Sequence, residues 1–327
     1  MVNTLERHRG RVAIPVRFRA RLAAAGWQPP IPFSVKARDG ETDLYGLLYR
    51  PTHFDPSRKY PIINHIYPGP QSGSVGSRSF QPAWSDRQAL AELGFIVVAL
   101  DAMGTPMRSR TFHEAYYGDM GDNGLPDQVA GMRQLAERHD WIDLDRAGIY
   151  GHSGGGFASA RAILAYPDFF KVAVSQAGNH DNRLYEDDWG EKWQGLLVEN
   201  PDGTTNYDNQ ANQLLAANLR GKLLIAHGTM DDNVPPYGTL ALVDALIAAN
   251  QDFDLNRRMS RSGLVWFDPA LRVGYIPRRS LRSIAQQYHR FGRAKVGYWR
   301  LTGDRPRPRQ LALVLLPPSA GAALTVV

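Results

Sequence analysis

The stretch IYGHSGGGFASARAI, residues 149–163, sets Ser153 among glycines where a short apolar run gives way to a helical pattern. AGIYG ahead of it is strand-like, and GGGFASARAILAY has the small residues of a closely packed helix. Gly151-His152-Ser153-Gly154-Gly155 fits G-x-S-x-G, the strand-to-helix corner that presents a serine nucleophile. A hydroxyl held at the top of a sheet needs a sharp turn with strained backbone angles, and side chains two residues to either side would collide in it. The helix that follows leaves its first N–H groups free, with its positive end toward any oxyanion forming beside the serine. The alternative is a glycine-rich turn whose serine only caps the helix.

Outward from that corner the chain alternates strand and helix from about residue 41. TDLYGLLYR alternates apolar positions and stops at Pro51, and PIINHIY (61–67) is a β-branched run stopped by PGP. DRQALAELG (86–94) reads as a helix with glycine just past its end, and GFIVVALD (94–101) as a buried strand. LPDQVAGMRQLAERHDW has apolar residues at helical spacing with Pro126 near its start. KVAVSQAG and KLLIAHG are two more strands, YGTLALVDALIAAN is an amphipathic helix, and FDL (253–255) reads as the start of a further strand. Continuous apolar strands separated by helices predict an α/β fold, a mainly parallel sheet flanked by helices.

The 327 residues suffice for one large domain or two small ones. Apolar residues at 43% and charged residues at 21% fit a globular chain, and the absence of cysteine excludes disulfides and thiolate metal sites. No P-loop or G-x-G-x-x-G occurs and no histidine pair has metal-ligand spacing, so no cofactor or metal is expected. The N-terminus lacks the apolar core of a secretory signal, which leaves the compartment open, and the C-terminal apolar stretch is broken by Pro317 and Pro318, so no membrane span is expected. The net charge of +6 is uneven: residues 257–309 hold 13 Arg, 1 Lys and 2 acids, a net of +12, which leaves −6 on residues 1–256.

An attacking serine needs a base, and the base needs a carboxylate to orient it. The best acid after Ser153 lies in LLIAHGTMDDNVPP (223–236), where Asp231 and Asp232 follow a strand. Reactive groups gather at strand C-termini in open α/β sheets. A turn-forming acid pair is the alternative.

YPIINHIYPGPQ, GFIVVALD, the serine corner, VAVSQAGNHDNRLY, WGEKWQGLL and LIAHGTMDDNVP together resemble the catalytic domain of the prolyl oligopeptidase family, most of all its bacterial dipeptidyl-peptidase IV branch. The resemblance runs from about residue 22 to 255. It implies an α/β-hydrolase fold and a serine peptidase acting on peptide substrates, often after proline, through an acyl-enzyme. Carried over by motif, Ser153 is the nucleophile and Asp231 the triad acid, with the N–H of Gly154 and the hydroxyl of Tyr67 as oxyanion donors. Asn233 is implied to bind a substrate carbonyl and Tyr185 to line the pocket, while Asp232 is read as a turn acid. The motif does not separate amide from ester, so an esterase or acyl-peptide hydrolase stays open.

The chain departs from the family at both ends. The family's N-terminal β-propeller, whose glutamates grip the substrate amine, is not expected here, because only about forty residues precede the strand–helix alternation. The family's histidine follows the acid by about thirty residues, yet no histidine occurs between His227 and His289. His289 lies in a helical pattern and reads as an ordinary helix histidine. His152 is the variable position of the elbow, His227 is expected to pack below the acid loop, and His180 to shape the pocket. The predicted organisation is an extension over 1–40, a hydrolase core over 41–255, and a divergent arginine-rich segment over 256–327 that leaves the core incomplete at its C-terminus. Translation outside the ancestral frame from about residue 256 explains why the resemblance stops where arginine content rises. A serine without its base loses on the order of 10⁶ in rate. A non-catalytic reading remains for the basic segment, with Tyr275, Tyr288, Tyr298 and Trp299 among its arginines, although no nucleic-acid-binding fold is recognisable in it.

Overall fold

A computed structural model describes residues 21–76, 86–228 and 231–249. The chain divides into two compact units, residues 1–243 and 244–327, and the sheet lies in the first. The arginine-rich segment with His289, the FDL stretch and the start of the chain through residue 20 lie outside the described residues.

Seven strands form one sheet: β1 (Ile31–Lys36), β2 (Asp43–Tyr49), β3 (Tyr60–His65), β4 (Ile96–Asp101), β5 (Ile142–His152), β6 (Val172–Gln176) and β7 (Lys222–Ala226). Their order is β1-β2-β4-β3-β5-β6-β7. The first two pairings, β1 with β2 and β2 with β4, are antiparallel, and the remaining four are parallel. The helices are α1 (Asp86–Glu92), α2 (Arg110–His113), α3 (Leu125–Arg138), α4 (Gly154–Ala165), α5 (Asp187–Gln194) and α6 (Tyr237–Ala248).

Sequence pattern and structure meet most closely at the centre of the sheet. Ile96 to Leu100 of β4 are all buried, as a continuous apolar run between two neighbouring strands must be. The small residues of α4 let it lie against β5 and β6 with nearly every position covered, and its buried Ser159 hydroxyl donates to the Gly155 carbonyl, 2.7 Å away. Two elements exceed the sequence reading. The sheet begins at Ile31, ahead of residue 41, because IPFSVK forms an edge strand that tolerates Pro32. The strand seen in AGIYG starts at Ile142, since the polar, exposed Asp145 and Arg146 interrupt the apolar signal without interrupting the strand.

Register decides what meets at the C-terminal edge of the parallel strands. His65 pairs with Tyr150, His152 with Gln176, and Gln176 with Ala226. The ends of β3, β5, β6 and β7 therefore lie side by side, and the loops after them carry Tyr67, Ser153, residues 179–185 and Asp231.

Candidate active site

Ser153 has φ 56° and ψ −121°, a conformation that costs a non-glycine residue about 1–3 kcal/mol. Close approach enforces it. A Cβ on Gly151 would stand 2.3 Å from the Ile66 carbonyl oxygen, and one on Gly155 only 2.1 Å from the same atom. The Ser153 N–H donates to Gln176 O at 2.8 Å, and its carbonyl accepts from Phe157 N at 3.0 Å. Its hydroxyl makes no capping bond to α4, so the helix-cap alternative does not describe this serine. Gly154 opens the helix, where its N–H has no intrahelical acceptor.

Tyr67 stands beside this corner, on the loop leaving β3. Its N–H donates to the Ser74 hydroxyl at 2.8 Å, and the N–H groups of Ser74 and Val75 both donate to Asp101 Oδ1, at 2.6 and 3.1 Å. The Arg87 guanidinium donates to Val75 O at 2.8 Å. The end of β4 and helix α1 thus hold the loop that carries Tyr67. Burial pushes the Asp101 carboxyl above its ordinary range, opposed by those backbone donors.

Asp231 sits on the turn after β7. Its Oδ1 accepts from Asn233 N at 3.2 Å and from Val234 N at 2.9 Å. Its Oδ2 lies 3.5 Å from His227 Nε2. His227 occupies both ring nitrogens, with Nε2 2.8 Å from Val234 O and Nδ1 2.7 Å from Thr239 Oγ1. With both nitrogens engaged, His227 supports the acid turn and takes no proton from Ser153. Asp232 is exposed.

A cavity of about 360 Å³ opens here, lined by Ser153, Gly154, Tyr67, Tyr185 and Asn233. Five residues that the sequence reading placed by motif therefore share one pocket, and Asp231 stands two residues from the nearest of them. Tyr185 meets Trp189 edge-on at 5.7 Å, and burial followed by the charge of Glu186 raises its phenol above the ordinary value. Among the described residues no histidine lines the cavity.

His180 is fully buried and does not itself line the pocket. Its Nε2 lies 3.3 Å from Ser175 Oγ and its Nδ1 3.1 Å from Asn212 Nδ2, and burial lowers it to about 3. The pocket residues the sequence did not flag include Asn123, Phe157, Asn179, Asn182 and Trp193, together with the charged Glu186, Asp188 and Lys192. The one available signal was AGNHDN, a cluster of polar residues directly after a strand, which also reads as ordinary loop.

The profile of the prolyl oligopeptidase family matches residues 82–262, more than half of the chain. The chain belongs to that family. It is 36% identical to dipeptidyl peptidase 8 of Homo sapiens over 231 residues, 70% of this chain and 25% of that protein. The Mus musculus protein of the same name is 36% identical over 231 residues, covering 70% of this chain and 26% of its own. The crystal structure of Porphyromonas gingivalis dipeptidyl peptidase 4 superposes with a TM-score of 0.64 at 29% identity, over 72% of this chain and 32% of that one. The chain spans about a quarter of the length of the curated relatives it matches. Family and architecture agree on an α/β-hydrolase fold, and the family is one of serine peptidases. Among the described residues no helix is long and apolar enough to cross a membrane.

Proposed function

We propose that this chain carries the catalytic core of a dipeptidyl-peptidase-like serine peptidase, with peptides as its substrates. Ser153 Oγ attacks the scissile carbonyl. The Gly154 N–H and the Tyr67 hydroxyl donate to the oxyanion, which charge-assisted hydrogen bonds stabilise most strongly in a water-poor site. Asp231 orients the base through Oδ2, the oxygen that takes no backbone N–H. Asn233 binds a substrate carbonyl, and Tyr185 packs on the side chain next to the scissile bond. The observation that carries this reading is Ser153 itself: a strained corner, a hydroxyl left out of helix capping, and a cavity in front of it.

The proton acceptor is the part the described residues do not supply. Until an imidazole bridges Ser153 and Asp231, turnover rests on the oxyanion donors and binding, far below triad rates. A fluorophosphonate probe applied to the chain and to Ser153→Ala tests the assignment. Labelling of the parent alone supports an activated Ser153. Equal labelling of both removes the peptidase reading.

A further inference from the structure

The loop that carries Tyr67 is poor in backbone donors. From residue 67 it reads YPGPQSGSV, and Pro68 and Pro70 have no N–H to give. The stretch nearest the nucleophile is therefore tied through carbonyls. A Cβ on Gly154 would stand 3.4 Å from Pro68 O, so the loop lies directly against the serine corner. Within the loop, Ser72 N donates to Gly69 O at 3.2 Å, and Tyr67 N reaches the Ser74 hydroxyl. At the tip, Pro70 O is engaged from outside the loop, by His113 Nε2 at 2.5 Å. A carbonyl oxygen only accepts, so Nε2 carries the proton, and the neutral and the protonated ring make the same bond.

His113 ends helix α2, and that short helix is fixed in its own right. The Ser109 hydroxyl accepts from Phe112 N at 3.2 Å, and Ser109 O accepts from His113 N at 3.0 Å. Phe112 is buried, its carbonyl takes the Gly104 N–H at 2.7 Å, and the Arg108 guanidinium lies 4.0 Å from its ring centroid. The His113 ring also meets Trp193 of α5, with centroids 5.6 Å apart. Trp193 lines the cavity, and its carbonyl accepts from Gly118 N at 2.9 Å. One half-buried imidazole thus joins the Tyr67 loop to a wall of the pocket without lining the pocket itself.

We propose that His113 is a positioning residue for the oxyanion donor: its hydrogen bond to Pro70 O sets where the Tyr67 loop, and with it the Tyr67 hydroxyl, stands relative to Ser153. The inference rests on the peptidase reading, which gives Tyr67 its role. The far end of the loop is fixed by Asp101 through the N–H groups of Ser74 and Val75. Loss of the bond at Pro70 lets the loop hinge on that end. An oxyanion donor acts at about 2.7–3.1 Å, so a displacement of about 1 Å removes most of its effect. A histidine that only stabilises its own helix would leave Tyr67 where it is.

Fluorine NMR of the full chain labelled with 3-fluorotyrosine tests the proposal without requiring turnover, the Tyr67 resonance being the one lost in Tyr67→Phe. His113→Leu is expected to shift or broaden that resonance. It should also speed amide exchange over residues 67–75 about tenfold, the effect of losing one hydrogen bond of ordinary strength. His113→Gln keeps a donor but has no ring, and should return both signals toward the parent. Fluorophosphonate labelling of Ser153 should slow about tenfold in His113→Leu and recover in His113→Gln, with circular dichroism unchanged in each. A Tyr67 resonance and loop exchange unchanged in folded His113→Leu overturn the proposal. Failure of His113→Gln to restore them overturns it as well, by assigning the effect to the ring against Trp193. In a parent that labels, an unchanged rate in His113→Leu overturns the link to the oxyanion. Equal labelling of the parent and Ser153→Ala removes the peptidase reading itself, whatever the resonance shows.

Discussion

Ser153 and Asp231 both follow the C-terminal ends of parallel strands, yet they are held in place by different means. The serine corner is pinned by three strands at once: glycines of the elbow press on Ile66 beyond β3, and the Ser153 N–H binds Gln176 at the end of β6. The acid turn is held by its own carboxylate, which accepts two N–H groups within three residues, and by His227 behind it. The nucleophile's position is thus a property of the sheet, and the acid's position a property of one turn. Disturbing the first should unfold the protein, whereas disturbing the second should leave the fold intact.

The largest effect is expected from Gly155→Ala. Its Cβ would meet a backbone carbonyl at 2.1 Å, with no flexible side chain to give way, so urea unfolding should show a loss of about 3 kcal/mol or an inability to fold. A loss under about 1 kcal/mol would break the contrast between the two corners.

Next comes acid sensitivity. Burial lowers His180 to about 3 and His65 to about 4, in the latter case with a smaller contribution from the Arg87 charge. Each folded-state histidine stays neutral where its unfolded counterpart, titrating near 6.5, takes up a proton. The unfolded state then binds more protons, so stability is fully present above about pH 6.5 and is lost as pH falls toward 4 and below. Each histidine steepens that loss by up to about 1.4 kcal/mol per pH unit. Denaturant titrations at pH 7, 6, 5 and 4 measure the slope, and His180→Gln should flatten it. A stability unchanged between pH 7 and 4 would contradict the buried, neutral imidazoles.

A smaller, opposite effect is expected at the nucleophile. Ser153→Gly removes the penalty of φ 56° and should raise stability by about 1 kcal/mol while abolishing fluorophosphonate labelling. Stability that falls would mean the corner is not strained. The smallest change belongs to the acid turn: Asp231→Asn keeps an oxygen for Asn233 and Val234, so unfolding should shift by less than about 1 kcal/mol. A large stability loss there would make Asp231 a structural residue first.

Much of the architecture was legible because burial leaves a strong mark on sequence. IVVALD had to be an inner strand, and GGGFASARAILAY had to be a helix in close contact with its neighbours. The edge strand IPFSVK escaped notice because an outer strand needs no continuous apolar run and admits proline. Helix α5 was quoted within a family motif without being read as a helix, since its apolar face is little more than Trp189 and Trp193. At the site, Ser153 and Gly154 were marked by local glycine geometry, and Tyr67 and Asn233 only by family resemblance. Asn179 and Asn182 carried only the weak mark of a polar cluster after a strand, and Asn123, just ahead of helix α3, carried none, because a polar loop residue has the same composition whether it faces solvent or a cavity.

The amino-acid sequence alone determined the local chemistry: a glycine-flanked hydroxyl at a strand–helix corner, and a family whose members use it as a nucleophile. Such features depend on residues within a few positions of one another, where sterics leave a single solution. The tertiary structure decided which distant residues share the pocket and that His180 is buried outside its lining. Those outcomes follow from strand order and register, which bring residues 67, 123, 153, 182 and 233 to one edge of the sheet and which no local pattern encodes.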